Sequence, residues 1–146
     1  MSLRIFKRGQ IWWVDLDPTV GSEIQKPRPC VIVSSDAIRK LPVRIVVPLT
    51  GSTPSKNSLF HVPIEINDAI SLDGLAGLTK DSVANILQIR CVSDERFKEY
   101  LAEMSADKME EITHAIANIV EFECNLEHCG RALGKECSYS TGDHAA

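Results

Sequence analysis

Aromatic residues make up only 5% of this 146-residue chain, and Trp12 and Trp13 are the sole adjacent pair. A groove for proline-rich or other extended peptides needs a wall of aromatics, so peptide capture is disfavoured from the start. No run approaches the roughly 18 consecutive apolar residues of a membrane helix, and the opening MSLRIFKRGQ has no apolar core of the signal-peptide kind. A soluble, cytoplasmic protein with no membrane association is expected. The five cysteines are an odd number, against a disulfide framework. Cys30 and Cys91 fall in apolar runs and read as small core residues. Cys124, Cys129 and Cys137, with His128 beside them, do not have zinc-site spacing; no metal and no cofactor is expected. The four histidines, His61, His114, His128 and His144, are scattered, against a mechanism built on a histidine pair. No internal repeat or low-complexity segment is present.

What the chain does have is ordinary globular composition, 44% apolar and 25% charged, at a length that fits one domain. Its net charge of −4 hides a polarity: residues 1–50 carry eight Lys/Arg against four acids, and residues 51–146 carry eight against sixteen. A basic front third allows a local anion site on an acidic protein. The stretch DLDPTVGSEIQKPRPCVIVSS, Asp15 to Ser35, holds the sharpest candidate. Pro27 and Pro29 flank Arg28 and keep it out of any helix. A loop containing Lys26, Pro27 and Arg28 would then present the guanidinium, a planar fork suited to phosphate or carboxylate, at the mouth of a rigid strand.

Period-two alternation in QIWWVDL predicts a first strand with Ile11, Trp13 and Asp15 on one face and Trp12, Val14 and Leu16 on the other. One tryptophan then faces the core; the other faces outward, toward a partner or a base. CVIV reads as a buried strand, with Ser35 or Asp36 capping a short turn. VRIVVPLTG is a third strand ending near Pro48, which leaves Thr50 and Gly51 just past it. LFHVPIEI is an edge strand, because Pro63 cannot donate to a ladder, and SVANILQIRCV resumes strand character. Five or six short strands with tight connections predict a small, strongly bent barrel. Ser93 or Asp94 can cap a short helix, and Ser105 a longer amphipathic one with Met109, Ile112, Ile116, Ile119 and Val120 on its apolar stripe. From Cys124 onward the periodicity fades, so residues 1–123 form the domain and 124–146 a partly disordered tail.

In this order, RGQIWWVDLDPTVGSE, KPRPCVIVSSD, VVPLTG, HVPIEI and LTKDSVANILQIRCVS, followed by the helix, the chain resembles the MazF/PemK toxin endoribonucleases of type II toxin–antitoxin systems. The likeness runs from about Lys7 to Glu123. It implies a mainly β fold with α, an SH3-like small β-barrel with a C-terminal amphipathic helix. It also implies a homodimer, metal-independent and sequence-selective cleavage of single-stranded RNA, and a cognate antitoxin as partner. The family's catalytic arginine falls on Arg28 and its catalytic threonine on Thr50. The Gly21-Ser22-Glu23 loop matches as well, and so do Gln88 and Arg90, the latter also readable as a structural ion-pair residue; the general base is not visible in the sequence, and Glu23 is a candidate for it by its proximity in the loop. Cys30, where an apolar residue is usual, and the cysteine-bearing tail depart from the pattern.

RNA can be cut without metal when its 2′-OH displaces the adjacent 5′-oxygen, provided the phosphorane charge is stabilised. Arg28 and the Thr50 hydroxyl are suited to that stabilisation. Bases would be read by the loops Pro18 to Pro27, Ser52 to Ser58 and Asp68 to Lys80. Ser22, Lys26, Pro27, Ser52, Lys56 and Gln88 are the candidate substrate contacts. Two readings compete with the nuclease: a non-catalytic gyrase-poisoning toxin of the same barrel type, which works through aromatics at its very C-terminus where this chain has GDHAA, and an SH3-like binding module.

Overall fold

Eight strands carry the described part of the chain, in the order β1 Gln10–Asp15, β2 Pro27–Ile32, β3 Val43–Thr50, β4 His61–Ile64, β5 Ala69–Ile70, β6 Ser82–Asn85, β7 Arg90–Ser93 and β8 Phe97–Met104. One α-helix among the described residues, α1 Ala106–Ile119, follows. The computed structural model describes residues 4–51, 58–72 and 77–122. The strands form one antiparallel sheet ordered β4-β6-β3-β2-β1-β8-β5, with β7 also on β3, bent into a nearly closed barrel. The expected barrel with a C-terminal helix is therefore what forms.

Alternation dictates how this sheet buries itself. Ile11, Val31, Val47 and Leu49 point to one face and meet Met109 and Ile112 of α1. Trp12, Val14, Leu16, Cys30, Ile32 and Val46 point to the other and close over Phe6 and Phe97. The few aromatics, dispersed in sequence, gather here: Phe6 lies 4.5 Å from Phe97 and 4.9 Å from Trp12, and Tyr100 lies 5.7 Å from Trp12. As the period-two reading required, Trp12 is 9% exposed and Trp13 39%. Each fully buried aliphatic side chain stabilises the fold by about 1.5–3 kcal/mol.

Several boundaries differ from the sequence reading, each for a tertiary reason. The second strand begins at Pro27, so Arg28 belongs to β2 and lies opposite Val14. The two prolines are tolerated because the ladder to β3 runs only over Cys30–Ile32. Nor does β3 stop near Pro48. On one side it pairs β7 over Val43–Val46 and then β6 over Leu49–Thr50, and Pro48, with no N–H, falls in the gap between those ladders. SVANILQIRCV is two strands, β6 and β7, separated by a 3-10 turn at Ile86–Gln88. The eight-residue β8 has no counterpart in the sequence reading. FKEYLAEM is rich in helix formers, and pairing with β1 overrides that preference. Pro63 does sit on an edge strand, β4. Ser105 does cap α1, its Oγ accepting from Lys108 N–H at 3.3 Å. Val120 leaves the apolar stripe and is 66% exposed. The tail, 124–146, lies outside the described residues.

Candidate active site

The ends of β2, β3 and β6 meet in a cleft of about 310 Å³ lined by Trp13, Arg28, Thr50, Lys80, Ser82 and Leu101, among others. Extending the register of β2 and β3 by two residues from Cys30 opposite Pro48 brings Arg28 opposite Thr50. Neighbouring strands thus deliver both expected catalytic residues to one place. Arg28 Nε donates to the Gln25 carbonyl at 3.0 Å. This fixes the plane of the guanidinium and leaves both Nη groups without a hydrogen bond among the described residues. Pro27 also lines the cleft, and no described carboxylate does. An apolar floor of Leu49, Leu101 and the Trp13 ring with a cationic rim suits a nucleotide, whose base is flat and whose phosphate is charged.

The loop before β2 is held from below. Arg90 Nη1 donates to the Leu16 carbonyl at 3.2 Å, and Arg96 Nη1 to the carbonyls of Asp15 and Asp17 at 3.1 and 2.6 Å. Arg90 therefore acts as a carbonyl brace. Gly21 and Lys26 take positive φ, 58° and 72°, a rare conformation for lysine. Lys26 N–H donates to Asp17 Oδ1 at 3.0 Å across the loop's neck.

Ser22, Glu23 and Gln88 line a second depression of about 550 Å³ with Val20 and Arg90, separate from the cleft that holds Arg28 and Thr50. Glu23 Oε2 accepts from Val20 N–H at 3.3 Å. Gln88 uses both ends of its amide on this loop: Oε1 accepts from Ile24 N–H and Nε2 donates to the Ser22 carbonyl, each at 3.1 Å. Lys26 lines neither hollow, and Ser52 and Lys56 lie outside the described residues. Cys30, behind Arg28, has its thiol pushed up to about 12 by burial, against the opposing influence of Arg90 and Arg28. It is a core residue with no nucleophilic character at neutral pH.

Two side chains of the cleft escaped sequence reasoning as specific site residues. Trp13 was open between core, partner and base. Lys80 was only the end of a loop, although it is the sole Lys or Arg between Lys56 and Arg90, a lone cation directly before a strand.

The cleft of this bent barrel brings together two cations, Arg28 and Lys80, and the hydroxyls of Thr50, Thr79 and Ser82, with no described carboxylate among its lining, a donor set suited to an anion. Residues 7–120 match the model of the PemK-like, MazF-like toxins of type II toxin–antitoxin systems, and the chain belongs to that family. It is 37% identical over 113 residues to the Endoribonuclease MazF of Staphylococcus saprophyticus, covering 77% of this chain and 88% of that protein. The crystal structure of MazF from Deinococcus radiodurans superposes with a TM-score of 0.61 at 21% identity, over 81% of this chain and 98% of that one. A mycobacterial endoribonuclease solved with its cognate antitoxin gives 0.58 at 22%, over 82% and 98%. These two structures agree with the fold.

Proposed function

We propose that this chain is the toxin of a toxin–antitoxin pair and acts as an endoribonuclease on single-stranded RNA in the cytoplasm, inhibiting translation and growth. The observation that carries this reading is the meeting of Arg28 and Thr50 in one cationic cleft, in a chain 37% identical to an endoribonuclease. In the reaction the 2′-oxygen bonds to the adjacent phosphorus and the P–O5′ bond breaks. The 2′-OH proton leaves to a base and the 5′-oxygen takes a proton up. The Nη groups of Arg28 donate to the non-bridging oxygens as their charge grows, and the Thr50 hydroxyl adds a donor from the next strand. The exposed Trp13 ring offers a stacking surface for a base.

Glu23 is the candidate base of the sequence reading. Its place beside Ser22 and Gln88 also fits a role in holding a neighbouring nucleotide, and we assign the second depression to sequence selection. The toxin domain is residues 1–123, it works as a homodimer, and a cognate antitoxin is its protein partner.

Purified protein incubated with a long single-stranded RNA in EDTA, with cut sites mapped by primer extension and Arg28→Ala in parallel, tests the reading. Discrete cuts that persist in EDTA and vanish in the folded variant are expected. A folded wild-type dimer that leaves RNA intact, or an Arg28→Ala protein that cuts as well as wild type, would overturn it.

A further inference from the structure

The reaction as written uses Arg28 and Thr50 and leaves a second cation of the same cleft without a role. β3 is flanked by β2 on one side and by β6 on the other, with Leu49 opposite Ala84 and Thr50 opposite Val83. Arg28 enters the cleft from β2. Lys80 enters from the turn that leads into β6, so the two cations stand on opposite sides of Thr50. Ser82 Oγ donates to the Lys80 carbonyl at 3.2 Å and fixes that turn. Gly51, directly after Thr50, is where the lysine rests: a Cβ built there would stand 2.7 Å from Lys80 Nζ and 3.0 Å from its Cε. The absence of a side chain at 51 lets the ammonium lie against the backbone beside the threonine. Among the described residues Lys80 forms no ion pair, and no described carboxylate lines the cleft.

We propose that Lys80, seated on Gly51, is the second phosphodiester-binding cation of this cleft, gripping the RNA backbone from the side opposite Arg28. The inference rests on the ribonuclease reading and deepens it. A phosphodiester carries one negative charge and the phosphorane formed from it approaches two. A second cation therefore interacts more strongly with the transition state than with the bound substrate. Lysine suits the task, because an ammonium is a point charge that needs no fixed bidentate geometry. The alternative, a solvated surface lysine, makes the opposite prediction for every measurement below.

The test is cleavage of a short oligoribonucleotide spanning a mapped cut site by wild type, Lys80→Ala, Lys80→Arg and Arg28→Ala over a range of salt. For Lys80→Ala, kcat/KM is expected to fall by roughly tenfold to a hundredfold. The slope of log kcat/KM against log salt is expected to become shallower by about 0.7, the loss of one phosphate contact on a single strand. Lys80→Arg should restore the slope. A Lys80→Ala protein with wild-type kcat/KM and slope would overturn the proposal. So would a loss of rate with an unchanged slope that Lys80→Arg does not repair, which would assign Lys80 to loop structure. In both cases an inactive Arg28→Ala beside an active wild type leaves the ribonuclease reading standing. A wild type that cuts no RNA removes that reading and this proposal together.

Discussion

At the scale of single residues, the environment decides chemistry that residue type alone leaves open. Cys30 lies between two arginines, which by themselves would favour a thiolate, yet burial dominates and holds the thiol protonated up to about 12. The unfolded chain releases this proton near 9.0 and the native state near 12. Between those values the unfolded chain has lost a proton that the native state keeps, so rising pH favours unfolding there, and below that window Cys30 contributes no slope. The stability of wild type relative to Cys30→Ala should therefore fall above about pH 9 by at most about 1.4 kcal/mol per pH unit. Urea midpoints of the two proteins against pH check it; parallel curves would contradict the assignment. Arg44 shows the same principle with a charge. It is 5% exposed, donates to the carbonyls of Leu41, Val43 and Arg39 at 2.6–3.0 Å, and lies 5.5 Å over the Phe6 ring. A basic residue of the front third is thereby consumed by structure.

Among the elements, the strands supply position and the loops are held to them. Three adjacent strand ends carry the cleft, and the loop between β1 and β2 is braced by side chains from β7 and the turns flanking it. Gln88, on the turn between β6 and β7, bonds the backbone on both sides of Glu23. Gln88→Ala should lower the melting temperature only slightly, because Gln88 belongs to neither core and the loop keeps the packing of Leu16 and Ile24 on the aromatic one. It should raise amide exchange at Ile24 and its neighbours roughly tenfold, in line with about 1–2 kcal/mol for the lost bonds. Hydrogen exchange followed by mass spectrometry would check this, and unchanged protection would show that the contacts of Arg90, Arg96, Glu23 and Lys26 hold the loop without Gln88. Arg28, the Ser105 cap and the edge position of β4 were legible in the sequence because proline geometry and capping are local effects. β8 was not, since its helix-forming composition yields only to pairing with β1, which is nearly ninety residues away in the chain.

In the whole molecule, one bent sheet presents two cores through opposite faces of the same strands. Neither core can be lost without disrupting β1, β2 and β3, which serve both. Unfolding should therefore be cooperative: tryptophan fluorescence in a Trp13→Phe background, where Trp12 alone reports the Phe6–Trp12–Phe97 side, and far-ultraviolet circular dichroism, to which α1 on the other face contributes, should give one coincident midpoint in urea. Two separated transitions would show that the faces unfold independently. The sequence by itself determined the class of barrel, the alternation that puts Trp12 and Trp13 on opposite faces, the capped C-terminal helix, and the arginine held by two prolines, all of which depend on residues a few positions apart. Only the tertiary structure decided that Arg28 and Thr50 share a cleft, that Gln88 clamps the loop carrying Glu23, and that Lys80 comes to rest on Gly51. Those juxtapositions depend on strand register and on which strands neighbour β3, quantities set by the packing of two cores rather than by local pattern.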